Sequence, residues 1–239
     1  MQYSTFAAID IGSYDVILEI FEISKKQGIR SVDKICHRME LGKDTYTLGK
    51  IRPEMEEELC RVLADFVRIM EGYRVDDYRA TASSAISEAS NSLYVLGKIH
   101  QLTGFSVTVL SNSEQRFLSY KALAAMEDNF NKIIEKGTAI LDLDGGSFQI
   151  SLFDKDALVT TQNIRMGSLR IRERLAGIQS ETEHYEEMVE ELIWNEVSSF
   201  KKMYLKDRKI ENIMLIGDVF TDSVYQNIEE KTTKIISRE

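Results

Sequence analysis

Ile140-Leu141-Asp142-Leu143-Asp144-Gly145-Gly146-Ser147 decides the fold, because a shorter version of it, Ala8-Ile9-Asp10-Ile11-Gly12-Ser13, stands near the N-terminus. In each copy an apolar run reaches an Asp and then a small turn that contains glycine. A second apolar strand follows each turn, over residues 16–21 and 148–153. Each copy therefore predicts a β-hairpin whose turn can approach a ligand closely, since glycine has no Cβ atom. Two such hairpins predict two related domains facing one cleft, with turn amides for phosphate and an Asp pair for a hydrated cation.

Composition narrows the class of protein. Hydrophobic residues make up 43% of the 239 residues, which favours a packed core over disorder. The 39 acidic and 30 basic residues leave a net charge of −9, which argues against a nucleic-acid binder. No apolar run reaches membrane-spanning length, and the N-terminus has no secretion signal. We interpret Cys36 and Cys60 as free thiols, which are typical of cytoplasmic proteins. We therefore expect a cytoplasmic protein that does not bind membranes.

The remaining sequence alternates between strand and helix patterns. Strands are predicted over residues 5–11, 15–24, 29–41, 78–82, 105–110, 138–141 and 213–217, with two more strands between 141 and about 165. Helices are predicted from Pro53 to Gly72, over 91–103 and 113–129, briefly after Gly167-Ser168, and over 183–205. We expect two domains, residues 1–130 and 131–239, with the second incomplete or shortened at its C-terminus.

Five segments, in this order, resemble the Ppx/GppA family of exopolyphosphatases and guanosine pentaphosphate phosphohydrolases. They are Ala8–Ser13, Ala82–Asn91 (ASSAISEASN), Leu110–Arg116 (LSNSEQR), Leu141–Ser147 (LDLDGGS) and Met166–Arg170 (MGSLR). The resemblance implies an α/β fold with two RNase H-like domains of the actin-like ATPase superfamily flanking a cleft. It also implies Mg²⁺ as cofactor and polyphosphate or guanosine polyphosphate (pppGpp) as the ligand. A homodimer is compatible with the sequence.

The resemblance also implies roles for individual residues. Metal binding falls on Asp10 and Asp142. The catalytic positions are Gln115 and Gln149, and Glu114 is the acid that remains beside them. Phosphate binding falls on Gly12, Ser13, Tyr14, Ser83, Ser84, Ser87, Gly145, Gly146, Ser147, Ser168 and Arg170.

Several of these positions depart from the family pattern. Tyr14 replaces an Asn, Ser87 replaces an Arg, and Asp144 replaces a Gly. Gln115 and Gln149 stand where the family has glutamates. Glutamine keeps the reach of glutamate but cannot accept a proton near neutral pH, and losing a general base costs about 10²–10⁴ in rate. We therefore expect hydrolysis to be weak or lost.

Three hypotheses follow for function. One is a phosphoanhydride hydrolase, and another is a catalytically inactive relative that binds a phosphorylated ligand or a partner protein. A kinase or ATPase of the same superfamily is disfavoured, because the loop 216–220 lacks a second glycine. We interpret Asp10 and Asp142 as acids that face a ligand, rather than as acids that cap a turn. We interpret Glu114 as an acid at the start of a helix whose N-cap is Ser113, rather than as a catalytic base.

Overall fold

Two five-stranded sheets with the same spatial arrangement form the framework of the protein. The computed structural model describes residues 3–126, 129–179, 184–206, 208–217 and 234–237. The chain divides into two compact units, Met1–Ser113 and Glu114–Glu239, with one sheet in each. The boundary expected between residues 130 and 131 remains a prediction about domains.

The first unit contains the N-terminal hairpin. Its strands are β1 (Ser4–Ile11), β2 (Asp15–Ser24), β3 (Gly28–Arg38), β4 (Asp77–Ala82) and β5 (Val107–Val109), in the order β3-β2-β1-β4-β5. Its helices are α1 (Leu41–Leu48), α2 (Pro53–Tyr73), α3 (Ser84–Ser87) and α4 (Ser92–Thr103). The β1 strand pairs antiparallel with β2 and parallel with β4. The N-terminal part of the duplicated hairpin is thereby confirmed.

The second unit repeats this arrangement. Its strands are β6 (Thr138–Leu143), β7 (Phe148–Asp154), β8 (Ala157–Ile164), β9 (Asn212–Gly217) and β10 (Lys234–Ser237), in the order β10-β9-β6-β7-β8. Its helices are α5 (Asn112–Met126), α6 (Phe130–Glu135), α7 (Ser168–Gln179) and α8 (Tyr185–Phe200), and a π-helical segment (Lys201–Leu205) follows α8. The β6–β7 hairpin and the parallel β6–β9 pair match β1–β2 and β1–β4. The fifth strands differ, since β5 runs parallel to its neighbour and β10 antiparallel.

The second sheet has two chemically different faces. Residues directly opposite each other on antiparallel strands share a face. Leu141 and Ile150 are such a pair, and their face packs on α8 through an apolar cluster that includes Phe200. Asp142 and Gln149 form the next pair, so they lie on the other face, which α5 and α6 cover. The helix α5 therefore lies over the face that carries two of the predicted site residues.

One predicted boundary is wrong, and α6 was not predicted. The third strand ends at Arg38 rather than near Leu41, because the N–H groups of Met39 and Glu40 both donate to the carbonyl of Tyr14 and Glu40 turns the chain with φ 50°. The helix α1 then begins at Leu41. The helix predicted over 113–129 is confirmed as α5 (Asn112–Met126), with residues 127–128 outside the described ranges, and α6 (Phe130–Glu135) is a further helix that was not predicted.

Cysteine burial and helix length are two further properties of the described residues. Neither Cys36, which is exposed, nor Cys60, which is buried, forms a disulfide. Burial raises the pKa of the Cys60 thiol. None of the helices in the described ranges combines the length and the apolar character needed to cross a membrane.

Candidate functional site

Asp144 takes part in two hydrogen bonds within the turn of the second hairpin. The Asp144 N–H donates to the Ser147 carbonyl at 3.0 Å, and the Gly145 N–H donates to Asp144 Oδ1 at 2.6 Å. The charge of Asp144 is therefore directed onto a backbone donor of the turn itself. Gly145 and Gly146 are buried, so the turn is packed rather than splayed into solvent.

The start of α7 packs against this turn and donates hydrogen bonds to it. The N–H groups of Ser168 and Arg170 donate to the carbonyls of Asp144 and Gly145 at 3.2 and 3.1 Å. Arg170 Nε donates to the Gly146 carbonyl at 2.9 Å. A Cβ atom on Gly167 would lie 2.4 Å from the Asp144 oxygen and from the carbonyl carbon and oxygen of Gly145, so this close approach requires glycine. Arg170 thus lies beside the predicted phosphate turn and holds its shape.

Gln149 is the most informative side chain at the end of the sheet. It is 5% exposed, and its Oε1 has no hydrogen-bond partner among the described residues. Asp142 lies opposite it on β6, and Ser119 Oγ donates to Asp142 Oδ2 at 3.3 Å. A buried polar oxygen without a partner is costly unless water or a ligand satisfies it. The predicted catalytic and metal positions of this unit are therefore neighbours.

Neighbouring polar groups extend this cluster along β8. Asn163 lies opposite Gln149, and its Nδ2 donates to Ser147 Oγ at 3.0 Å. Because Ser147 accepts this bond, it retains its own hydroxyl proton for donation. Ser168 Oγ is a further buried atom with no hydrogen-bond partner in the described part of the chain. Hydroxyl groups near the turn are therefore able to donate to an anion.

The helix α5 contacts the sheet face that carries Asp142 and Gln149. Arg116 Nη1 donates to Thr161 Oγ1 at 2.7 Å, and the Tyr120 hydroxyl donates to Ser151 Oγ at 2.5 Å. Gln115 is half-buried and stands one helical turn before Ser119, and its position beside the turn of residues 144–147 stays a prediction. Glu114 is exposed in the first turn of α5. Since α5 begins at Asn112, Ser113 lies inside the helix and is not its N-cap.

The first unit builds a second polar cluster around its own turn. Ser13 is fully buried, and its Oγ lies 2.7 Å from the Tyr46 hydroxyl, which lies 2.8 Å from Ser84 Oγ. Ser83 is 7% exposed, and its Oγ has no hydrogen-bond partner among the residues that the structure describes. The Ser83 N–H donates to the Ile11 carbonyl at 3.2 Å, which ties this serine to the end of β1.

Asp10 and Gly12 occupy the hairpin positions that the sequence predicts. Asp10 is exposed at the end of β1, and Thr81 Oγ1 lies 3.4 Å from its Oδ1. The Gly12 N–H donates to the Asp15 carbonyl at 2.9 Å, and a Cβ atom on Gly12 would approach that oxygen to 2.9 Å. The expected pairing of Asp10 with Asp142 across a cleft stays a prediction.

Two predicted phosphate residues are placed differently from the others. The Tyr14 ring lies under the guanidinium of Arg38, with the Arg38 Cζ atom 4.9 Å from the ring centroid. Ser87 is exposed at the last position of α3, which comprises only four residues. Neither position reproduces the Asn or the Arg that the resemblance implies there.

Sequence reasoning missed Tyr46, Ser119 and Asn163. Asn163 lies opposite Gln149 only because the register shifts between Leu152 and Phe153, and counting back from the turn between β7 and β8 would have placed Gln162 there. Tyr46 and Ser119 lie on helices whose packing partners are distant in sequence. No local pattern predicts those contacts.

The donor atoms at Asp142 and Gln149 suit a hard cation. Mg²⁺ accepts oxygen ligands, keeps several water molecules and needs only one or two carboxylates. A carboxylate beside an amide oxygen that has no hydrogen-bond partner among the described residues matches that requirement. Within the described ranges, no group of three or more His, Cys, Asp or Glu side chains is arranged to hold a metal.

Comparisons with known proteins agree on one family. The model of the Ppx/GppA phosphatase family matches residues 19–239. The bifunctional 3-dehydroquinate synthase/phosphatase of Fusobacterium nucleatum is 22% identical over 238 residues, covering 94% of this chain and 34% of that protein. Exopolyphosphatase 1 of Mycobacterium leprae is 25% identical over 144 residues, covering 60% of this chain and 41% of that protein. The chain thus spans well under half the length of both curated relatives.

A solved structure supports the same fold. The Ppx/GppA family member of Aquifex aeolicus superposes with a TM-score of 0.66 at 22% identity. The match covers 90% of this chain and 66% of that one.

Proposed function

Because the chain belongs to the Ppx/GppA phosphatase family, we propose that it binds the terminal phosphate of polyphosphate or of a guanosine polyphosphate and hydrolyses it weakly or not at all. The M. leprae relative is named an exopolyphosphatase, which supports polyphosphate as the ligand.

The amide of Gln149 carries this proposal. Its Oε1 is buried without a described partner, opposite Asp142, where the resemblance implies a glutamate. An amide can hold a water molecule by accepting one of its hydrogen bonds, but it cannot remove a proton. The attacking water would then be positioned without being activated, which costs about 10²–10⁴ in rate.

The turn of residues 144–147 would bind the phosphate. Ser147 retains a hydroxyl proton for donation, and the Ser168 hydroxyl has no described partner. Arg170 holds the turn carbonyl of Gly146 and adds positive charge beside it. In the first unit, the buried Ser83 hydroxyl is the matching candidate donor.

Mg²⁺ would be held by Asp142 and the Gln149 oxygen, which lie opposite each other on β6 and β7. Bound there, the ion would neutralise charge on the transferring phosphoryl group. The protein residues would orient the phosphate and the water on either side of it.

A phosphate-binding protein without activity is the second candidate. The same observation favours it, because both expected carboxylate positions, Gln115 and Gln149, carry amides. The two candidates differ only in whether phosphate is released, so one experiment separates them.

The test combines a release assay with a binding assay on the same preparation. Phosphate release is followed from polyphosphate, pppGpp, ATP and a phosphate monoester, with and without Mg²⁺. The monoester is included because the F. nucleatum relative is named a phosphatase without a stated substrate. Ligand-induced thermal stabilisation reports binding independently of turnover.

We expect polyphosphate or pppGpp to raise the melting temperature, with little or no release. Rapid Mg²⁺-dependent release that Glu114→Gln abolishes, while the exposed control Glu71→Gln leaves it intact, would refute the role of the amides and identify Glu114 as the base. Neither stabilisation nor release with any ligand would refute phosphate binding itself.

A further inference from the structure

A row of three hydroxyl groups joins the turn after β1 to the helices α1 and α3. Ser13 Oγ in the turn lies 2.7 Å from the Tyr46 hydroxyl on α1, and this hydroxyl lies 2.8 Å from Ser84 Oγ at the start of α3. A neighbouring bond fixes α1 against α3, since Thr45 Oγ1 donates to the Ala85 carbonyl at 2.6 Å. The hydroxyl row, Ser13-Tyr46-Ser84, is therefore built by three segments that are distant in sequence.

Burial sets the direction of the hydrogen bonds in the hydroxyl row. Ser13 is fully buried, whereas Tyr46 and Ser84 are half-buried. A buried hydroxyl proton needs an acceptor within the protein, and the Tyr46 oxygen supplies it. Tyr46 keeps its own proton for Ser84, because a hydroxyl group can accept and donate at the same time. The two bonds use two of the three protons, so the Ser84 proton is left for a group outside the row.

The serine of the second turn has the opposite role. Ser147 follows the glycines of the second turn as Ser13 follows the glycine of the first. Ser147 accepts a hydrogen bond from Asn163 Nδ2 at 3.0 Å and so retains its proton for a ligand. Ser13 instead gives its proton to Tyr46. The donor of the first unit is thereby moved from the turn serine to Ser84, two hydrogen bonds away.

We infer that Tyr46 is a positioning residue for phosphate binding in the first unit, and that Ser84 rather than Ser13 donates to the phosphate. The inference rests on the proposed function, because it names the donors of the first unit for the same ligands. Ser83 supports it: its Oγ is buried, makes no capping bond to α3 and has no hydrogen-bond partner in the described part of the chain. Ser83 and Ser84 are thus two adjacent hydroxyl donors for phosphate oxygens.

Tyr46 strengthens this donation in two ways. Its bond to Ser84 Oγ holds the serine in one orientation, which lowers the entropy that binding has to remove. Hydrogen bonds in a row also polarise one another, so a Ser84 hydroxyl that accepts from Tyr46 is a stronger donor. Both effects act on the Ser84 hydroxyl and require it to be present.

Calorimetric titration of tripolyphosphate into the full chain, with Mg²⁺ present, measures these contributions. Ser84→Ala should weaken binding by roughly tenfold or more, and Tyr46→Phe by roughly three- to tenfold. Tyr46→Phe should have no further effect once Ser84 is alanine, and additive losses would contradict the inference. Tyr73→Phe is the matched control, because the Tyr73 hydroxyl donates to Asp33 Oδ2 at 2.8 Å at the end of α2, and its loss should leave the affinity unchanged.

A second variant separates positioning from folding. Tyr46→Phe leaves the buried Ser13 hydroxyl without an acceptor, whereas Ser13→Ala combined with Tyr46→Phe removes both partners and should bring the melting temperature back towards that of the natural chain. Its affinity for tripolyphosphate should remain three- to tenfold weaker. Affinity that recovers together with stability, or that never falls in Tyr46→Phe, would overturn the inference alone. A natural chain that does not bind tripolyphosphate would overturn the proposed phosphate binding as well.

Discussion

Gly167→Ala is the sharpest structural test of the turn that is proposed to bind phosphate. The new Cβ atom would lie 2.4 Å from the Asp144 carbonyl oxygen and from both carbonyl atoms of Gly145, whereas Cβ atoms essentially never approach other atoms closer than 3.0 Å. All three are backbone atoms, so no side-chain rotation can relieve the overlap. The start of α7 or the turn itself must move by at least about 0.6 Å.

The expected cost follows from these contacts. Overpacking against a rigid neighbour costs about 1–3 kcal/mol. The displacement also weakens the two bonds from Ser168 and Arg170 to the turn carbonyls, each worth about 1 kcal/mol. A total of about 3 kcal/mol corresponds to a fall in Tm of roughly 6–12 °C for a chain of this size. Differential scanning calorimetry measures the stability change, and polyphosphate-induced stabilisation should shrink in parallel.

Gly177→Ala is the control on the same helix. A Cβ atom on Gly177 would meet nothing within 4 Å, so alanine should be neutral or stabilise α7 by up to about 1 kcal/mol. If Gly167→Ala melts within a degree of Gly177→Ala, α7 does not pack on the turn as described.

Three further predictions concern the first unit. Tyr46→Phe should lower the free energy of unfolding by about 1–3 kcal/mol, because it leaves the buried Ser13 hydroxyl without the oxygen that lies 2.7 Å away; urea unfolding measures this, and an unchanged midpoint would contradict the bridge to Ser84. Cys36 should react with a thiol reagent in the folded protein while Cys60 reacts only on unfolding, and equal rates would contradict the burial of Cys60. Burial raises the pKa of Cys60, so the unfolded chain loses this proton first as pH rises. The stability that the protonated thiol contributes should therefore be complete below about pH 8.5 and decrease above it. Urea unfolding across this range measures the decrease, which should be smaller in Cys60→Ala.

The hairpins were predictable because their information is local. Apolar strands ending in Asp and a glycine turn specify both the pairing and the side on which each residue lies. The length of a hairpin turn fixes which residues of its two strands lie opposite each other, so the pairing of Asp142 with Gln149 follows from the turn length alone. The two α/β units with matching strand order extend from this single repeated pattern.

Other parts of the site depend on contacts between distant segments. Ser119 reaches Asp142 only because α5 packs across the second sheet, and its helical pattern does not specify that neighbour. The hydrogen bond from Arg170 to the Gly146 carbonyl joins residues 24 positions apart. The resemblance implied that Arg170 binds phosphate, but it did not show that Arg170 holds the turn. Tyr46 lies on α1, an eight-residue helix that was not among the predicted elements. Tertiary packing rather than propensity decides these positions.

The central claim is that Gln149 stands beside a cation site where a carboxylate would complete the chemistry. Calorimetric titration of Mg²⁺ into Gln149→Glu, with and without Gln115→Glu, tests it directly. Gln162→Glu is the matched control, because Gln162 lies opposite Ile150 on the other face of the same sheet and its Oε1 is also buried without a described partner. We expect affinity for Mg²⁺ to rise by roughly tenfold, about 1.4 kcal/mol, in Gln149→Glu and further in the double variant, while Gln162→Glu stays at the level of the natural chain. No gain in either site variant, or an equal gain in the control, would contradict the placement of these glutamines at the metal side of the site.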